Sequence, residues 1–252
     1  MERHFQCIAC GRCCQGWLPL TLGDALEHSG RFPLAVVLTP LKQAHRAFAL
    51  TARLGASLRL RDRRQIAVRI VPTAYIPPTM SCPALDAEGL CTIHEHKPSR
   101  CRTMPFNPYH EERDQAEHLV PRKGWTCDVS KAAPVVYRDR TIVDRRDFDR
   151  ERGELLDQAP LLRAHLEWLA GHVPGLAETL AAAAMKPGGG HVVTGFAPLL
   201  RRLEQVDRAA VARAQRPLLV DFAARTAGVP ALAEYHRFYG DGVWEMERLA
   251  ET

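Results

Sequence analysis

Apolar and polar residues alternate on both sides of a charged turn in one part of the chain. Leu58 and Leu60 precede the turn, and Ile66 and Val68 follow it. A period of two on both flanks is typical of paired, half-buried strands, so the stretch 57–76 predicts a β-hairpin. Arginines occupy its outward positions and predict a solvated face, with a basic stripe as the alternative. They are Arg59, Arg61, Arg63, Arg64 and Arg69.

The segments before the hairpin give weaker signals. Thr21 followed by Asp24 has the spacing of a capping box, which predicts a short helix starting near Leu22. Residues 34–55 have no clear period and predict mixed helix and loop, with Pro40 as a break. After the hairpin, DAEG predicts a turn and LCTIHE a short strand, while PVVYRDRTIV supplies a further strand.

The pattern changes to helical spacing from about Asp147 onwards. Apolar residues recur every three or four positions there, with a loop at 187–191 (PGGGH) and a break at Pro217. We therefore predict an α+β fold. A small cysteine-rich metal-binding domain with a β-hairpin occupies residues 1–130. A mainly helical region follows over 131–252, either separate or packed onto the first domain as one unit.

Composition narrows the class of protein. The 252 residues are 46% hydrophobic and 25% charged, which is ordinary for a globular chain. No run approaches eighteen apolar residues, and the first residues carry no apolar leader, so we expect no membrane span and no export signal. The expected location is cytoplasmic. In that reducing compartment, clustered cysteines act as metal ligands or redox groups more often than as disulfides.

Cysteines and positive charge fall in the same half of the chain. Residues 128–252 contain no cysteine, and residues 1–127 hold 17 Lys and Arg against 11 Asp and Glu. This basic balance would offset thiolate charge or attract an acidic partner. The eight cysteines are Cys7, Cys10, Cys13, Cys14, Cys82, Cys91, Cys101 and Cys127.

The first four cysteines form the pattern C-x2-C-x2-C-C. Three thiols at these intervals can surround one iron–sulfur cluster. Cys14 leaves the backbone in a different direction from Cys13, so we expect it to reach a second site or to stay free. Eight thiols suffice for two four-cysteine sites. One partition places Cys7, Cys10, Cys13 and one distant cysteine together, and leaves Cys14 with the other three; the sequence does not choose among partitions.

Thiolates suit iron–sulfur clusters and zinc. Structural zinc sites usually take closely spaced ligand pairs, which the four distant cysteines do not form. This favours an iron–sulfur cluster, of the 4Fe-4S kind, with zinc as the alternative. His94 and His96 alternate, so on a strand they would share a face and could join Cys91, although a solvated pair is the favoured interpretation.

Three segments together resemble the CxxCxxCC cysteine-cluster family, which is described as zinc- or iron-chelating. They are FQCIACGRCC, LTLGD and CPALDAEGLCTIHEHKPSRCRTMPF, and the resemblance covers residues 5–127. The chain departs from the family pattern at Lys97 and Met104, neither of which removes a ligand. The matching positions are Phe5, Cys7, Cys10, Gly11, Cys13, Cys14, Cys82, Pro83, Leu85, Gly89, Cys91, Ile93, Pro98, Cys101, Arg102, Pro105 and Phe106.

The resemblance leaves three classes of function open. The first is an iron-binding module that works with a redox partner. The second is an enzyme, either a redox enzyme or one that modifies a protein or peptide, because part of the family resembles flagellin lysine N-methylases. The third is a zinc-stabilised interaction domain without turnover. In each, Arg102 and the basic hairpin would surround the thiolates. Nucleic-acid binding is not expected, because Tyr75 is the only aromatic residue near the arginines.

Overall fold

The computed structural model describes residues 2–251 and places two antiparallel sheets and eight α-helices within them. The strands are β1 (Glu2–His4), β2 (Leu18–Pro19), β3 (Leu34–Lys42), β4 (Ala56–Arg59), β5 (Gln65–Ala74), β6 (Val135–Arg138), β7 (Thr141–Ile142) and β8 (Val192–Gly195). The helices are α1 (Leu22–Glu27), α2 (Phe48–Leu54), α3 (Ser99–Thr103), α4 (Arg146–His172), α5 (Leu176–Met185), α6 (Ala197–Leu200), α7 (Arg208–Thr226) and α8 (Ala233–Ala250). Short 3₁₀ helices cover His94–His96, Glu112–Leu119 and Pro230–Leu232.

The larger sheet has the order β2-β5-β3-β8, with β4 also paired to β5. The predicted hairpin is confirmed: β4 and β5 are antiparallel, and Arg59 lies opposite Gln65. β3 pairs along its whole length with β5, from Leu34 opposite Ala74 to Lys42 opposite Ile66. The smaller sheet, β1-β6-β7, confirms the strand expected around Val135.

The helix predicted near Leu22 is also confirmed. Thr21 is the N-cap of α1, and its side chain and that of Asp24 form a reciprocal capping box. These two bonds satisfy backbone donors that the first helical turn leaves unpaired. A third hydrogen bond runs from the Leu22 N–H to the side-chain carbonyl of Gln158 in α4, at 2.7 Å.

Two predicted breaks at proline are wrong. Pro40 lies inside β3, and Pro217 lies inside α7. β8 pairs only with residues 35–38 of β3, so Pro40 occupies a part of the strand that has one neighbour, where a missing N–H costs little. Pro217 is on the exposed side of α7, and packing of the opposite side keeps the helix continuous.

The segment LCTIHE is not a strand. Cys91 makes one isolated bridge to Leu85, and the chain then enters the 3₁₀ helix His94–His96. The DAEG turn is confirmed, because Gly89 donates to the Asp86 carbonyl and has a φ of +80° that favours glycine. His94 and His96 are both exposed, as the favoured solvated pair requires, and they lie on a 3₁₀ helix and not on one face of a strand.

The α+β class is confirmed, and the main core draws on both ends of the chain. β8 pairs with β3, and α4, α5, α7 and α8 pack their apolar sides against the sheet. Leu34, Val36 and Ile70 of the sheet belong to the same buried cluster as Leu162 and Phe222 of the helices. No helix among residues 2–251 is long and apolar enough to cross a bilayer.

Gln215 joins α7 to the segment that leads into β3. It is fully buried; its side-chain oxygen accepts from the Leu34 N–H at 2.9 Å, and its amide donates to the carbonyls of Phe32 and Ser29. Ser29 and Phe32 precede β3 and Leu34 is its first residue, so these groups lie at the end of the sheet pairing. A single polar side chain therefore completes the backbone hydrogen bonding at this edge of the core.

Candidate metal centre

Backbone pairing brings Cys7 beside Cys127. The Gln6 N–H donates to the Asp128 carbonyl at 2.8 Å, and the Asp128 N–H returns a bond to Gln6 at 3.0 Å. Phe5 continues this pairing with a bond to the Pro134 carbonyl. Cys7 directly follows Gln6, and Cys127 directly precedes Asp128. The pairing of Gln6 with Asp128 therefore holds the N-terminal segment beside Cys127.

The same N-terminal segment pairs at its other end with the region around Cys82. The Cys82 N–H donates to the Cys14 carbonyl at 2.8 Å, and Gln15 forms a bridge with Ser81. Gly11 supports this contact, since a Cβ there would lie 3.3 Å from the Gly89 carbonyl oxygen and its φ is +67°. The segment 7–14 thus connects two distant cysteine-bearing parts of the chain.

Different contacts place Cys91 and Cys101 near the region around Cys82. Cys91 bridges Leu85, three residues after Cys82, which closes the loop between the two cysteines. Cys101 lies on α3, whose first residue, Ser99, donates its N–H to the Asp24 carboxylate at 3.0 Å and its hydroxyl to Glu154 at 2.8 Å. Cys101 is therefore placed by contacts between α3, α1 and α4.

The thiols of Cys7, Cys10 and Cys127 form one neighbourhood. The backbone N–H of Arg12 and the N–H and hydroxyl of Thr126 bond the Cys10 sulfur and lower its pKa to about 7. Burial raises the pKa of Cys127, and repulsion from Cys10 and Cys7 adds to it. A thiolate at Cys10 is thus stabilised by donors that the chain itself supplies.

The thiols of Cys82, Cys91 and Cys101 form the second neighbourhood. Burial raises the pKa of Cys101 to about 12, with further repulsion from Cys82 and Cys91. Burial also raises the pKa of Cys82. The Ala84 N–H, which donates to the Cys82 sulfur at 3.4 Å, lowers it. Two guanidinium groups oppose these shifts: Arg31 acts on Cys82, and Arg100 on Cys101.

Cys13 lies between the two neighbourhoods. Repulsion from Cys13 raises the pKa of Cys127 in the first neighbourhood, and the pKa of Cys82 and Cys101 in the second. Its sulfur is 3.9 Å from that of Cys14. Two sulfurs bound 2.3 Å from one tetrahedral zinc would be about 3.8 Å apart. The two sulfurs are therefore as far apart as two ligands of one ion would be, and the assignment of Cys13 and Cys14 to different sites stays a prediction.

The part of the chain that contains both neighbourhoods matches a family model. The family model CxxCxxCC, described as a proposed zinc- or iron-chelating domain, matches residues 6–128. Residues 6–128 are a CxxCxxCC domain. No curated protein and no solved structure matches the chain. The family description supports metal binding by this domain and does not distinguish zinc from iron.

The sulfurs of the CxxCxxCC domain do not close around a common point. Among residues 2–251, no three His, Cys, Asp or Glu side chains are arranged to hold a metal ion. Cys7 and Cys13 are exposed and the other six thiols are partly exposed. The donor chemistry still fits a soft metal, because Cys10 and Cys82 already accept N–H bonds, which favour the thiolate.

Sequence reasoning overlooked three residues of the CxxCxxCC domain that act on the thiols. Thr126, Arg31 and Arg100 each favour a thiolate, whereas the sequence had suggested Arg102 and the hairpin arginines for this role. Thr126 and Arg100 each adjoin a cysteine, which is a signal that the sequence offered. Arg31 is distant from any cysteine in sequence, so only the fold reveals it. Arg102 instead donates to the Ser99 hydroxyl at 3.3 Å.

Proposed function

We propose that the CxxCxxCC domain binds iron as one or two iron–sulfur clusters and serves as a redox module. In this proposal the first group of ligands is Cys7, Cys10, Cys13 and Cys127. The second group of ligands is Cys14, Cys82, Cys91 and Cys101. A bound cluster would supply one-electron transfer, which none of the protein's side chains in these groups provides by itself.

The observation that carries this proposal is the double pairing of the N-terminal segment. Gln6 pairs with Asp128, and Cys14 with Cys82, so one short segment contributes thiols to both neighbourhoods. Closing either group requires side-chain rotation, because the sulfurs do not yet converge. Such rotation is available to thiols that are exposed or only partly buried.

The chain's own groups would adjust the charge of these thiolates. Thr126 and Arg12 bond the Cys10 sulfur, and Arg100 acts on Cys101. Hydrogen bonds and positive charge near ligand sulfurs are among the features that set a cluster's reduction potential. The two groups differ in these features, so two bound clusters would have different potentials.

A zinc-stabilised domain is the second candidate. The separation of 3.9 Å between the Cys13 and Cys14 sulfurs suits two ligands of one tetrahedral ion. Zinc would then stabilise the fold, since binding free energy contributes to folding when the ligands are dispersed in the unfolded chain.

Elemental analysis of protein purified without oxygen separates these candidates. We expect a brown protein that contains iron and acid-labile sulfide. A colourless, iron-free protein with stoichiometric zinc would contradict the iron–sulfur proposal and support the second candidate.

Single serine variants then test the ligand groups. With two sites, Cys127→Ser and Cys101→Ser each lower the metal content by about half, and the double variant loses nearly all of it. Cys14→Ser is expected to behave as Cys101→Ser does. His96→Ala is the control and should retain full metal content. Complete loss of metal from either single variant would show one shared site instead.

A further inference from the structure

A group of arginines surrounds the buried hydroxyl of Tyr109, on the side of β5 that faces α2 and α4. Tyr109 belongs to a small apolar cluster with Leu50, Val71 and Leu155. The guanidinium of Arg69 lies over its ring, 4.8 Å from the centroid. Arg69 was expected on the solvated stripe of the hairpin, and this expectation is wrong, because the side chain is directed into the molecule and is partly buried.

Two further arginines act on the same tyrosine. Arg100 and Arg152 both influence the Tyr109 hydroxyl, as does the carboxylate of Glu151. Arg100 is 3.5 Å from Glu151, and its other amino group donates to the Phe106 carbonyl. Arg152 donates to the His110 carbonyl at 2.8 Å. Three guanidinium ions and the buried Glu151 carboxylate therefore lie near Tyr109, while the exposed Glu111 and Asp149 also act on Arg152.

Several polar atoms in this group have no hydrogen-bond partner within residues 2–251. Three are donors, namely the Tyr109 hydroxyl and the Nε atoms of Arg100 and Arg152. One is an acceptor, the Oε2 atom of Glu151, whose residue is 4% exposed. Buried polar groups are normally paired and buried charges compensated, so this arrangement calls for a further ligand.

The chemistry of these atoms identifies the class of ligand. Excess guanidinium charge and unpaired N–H and O–H donors fit an oxyanion, which arginine recognises through its planar array of donors. Burial lowers the pKa of Arg69 and Arg152, because it removes water from around the guanidinium charge. Burial raises the pKa of Glu151, and Arg100 at 3.5 Å opposes this and favours the carboxylate. The unpaired oxygen of that carboxylate accepts from a donor, which a hydrogen phosphate group has and sulfate lacks at neutral pH.

We propose that Arg69, Arg100, Arg152 and Tyr109 bind a phosphate group, with Glu151 accepting the proton-bearing oxygen. The group is either free inorganic phosphate or the phosphate of a phosphomonoester. Arg100 adjoins Cys101 and borders the second cysteine group, whereas the other residues of this site lie outside both groups.

Thermal unfolding and calorimetric titration test the site in the full chain. At constant ionic strength, inorganic phosphate should raise the melting temperature where chloride does not, and sulfate should bind at least tenfold more weakly. Binding of phosphate but not phenyl phosphate identifies the free ion, and tighter binding of phenyl phosphate identifies a phosphomonoester. No stabilisation by either phosphate compound, or equal binding of sulfate, would overturn the proposal.

Variants locate the binding within the chain. Arg69→Met should weaken phosphate binding at least tenfold, whereas Arg59→Met, on the exposed part of the same hairpin, should leave it unchanged. Tyr109→Phe removes only one hydroxyl, keeps the packing and should weaken binding several-fold. Metal content should stay the same in all three variants. Unchanged affinity in both Arg69→Met and Tyr109→Phe would contradict the assignment.

Discussion

His165 is a buried histidine with neither ring nitrogen hydrogen-bonded within the described chain. It lies in α4, is 0% exposed and stacks near Trp168. Burial, with Arg202 nearby, lowers its pKa from 6.5 to about 4. The folded protein therefore holds a neutral imidazole where the unfolded chain would hold a protonated one at mildly acidic pH.

This histidine makes stability depend on pH. Above pH 6.5 it is neutral in both states and has no effect. As the pH falls from 6.5 towards 4, only the unfolded state gains the proton, so the free energy of unfolding decreases, by about 2 kcal/mol at pH 5. Urea unfolding of the wild type and of His165→Leu at pH 7 and pH 5 measures the difference.

The variant should lose less stability than the wild type between these two pH values. His172→Leu, an exposed position on the same helix, is the control and should keep the wild-type pH dependence. Equal losses in the wild type and in His165→Leu would show that His165 is already protonated in the folded protein.

At the scale of elements, the connection between α7 and β3 depends on Gln215. Gln215→Leu has a similar volume but leaves three buried backbone groups unpaired. Each unsatisfied group costs roughly 1–3 kcal/mol, so we expect the free energy of unfolding to drop by about 3 kcal/mol or more. Urea denaturation monitored by circular dichroism would measure it.

The matched control is Arg213→Leu, which is exposed on the same helix. Its effect should stay within about 0.5 kcal/mol. If both variants were equally stable, the backbone groups before β3 would have to find other partners.

Local chemistry explains which elements the sequence could predict. The capping box at Thr21 and the alternation around Leu58 are short-range signals, and both elements form as predicted. Pro40 and Pro217 misled the prediction because tertiary pairing and packing outweigh the local cost of proline. β8 was missed because it is short and lies within a helical region.

At the scale of the whole molecule, the cysteine half and the helical half share one core. Residues 1–130 contain the cysteine groups, but β8, Leu162, Leu180 and Phe222 come from the other half. Without them, one face of the central sheet would be exposed. We therefore expect a fragment of residues 1–130 to lack a cooperative unfolding transition and to show poor NMR dispersion.

The full chain under the same conditions is the reference. A fragment that unfolds cooperatively, with the full chain's metal content, would show instead that residues 1–130 form an independent domain. The measurement thereby decides between the two arrangements that the sequence left open.

The sequence predicted which residue types form the candidate site, but it did not predict which cysteines lie together. Eight cysteines with this order indicated metal binding, and the family match supports it. The grouping depends on contacts such as Gln6 with Asp128, which leave no periodic signal in the sequence. The sequence did not predict the arginines around Tyr109, because Arg69 follows the same alternating pattern as the solvated arginines of the hairpin.

The long-range pairing of the N-terminal segment also has a consequence during synthesis on the ribosome. His4 bonds the Ala133 carbonyl across 129 positions of sequence. At about 5–20 residues per second, Cys127 follows Cys7 by roughly 6–24 seconds and Cys82 follows Cys14 by roughly 3–14 seconds. During this interval the four N-terminal thiols lack the distant cysteines of both proposed groups, so a metal bound at that stage would have to be held without them.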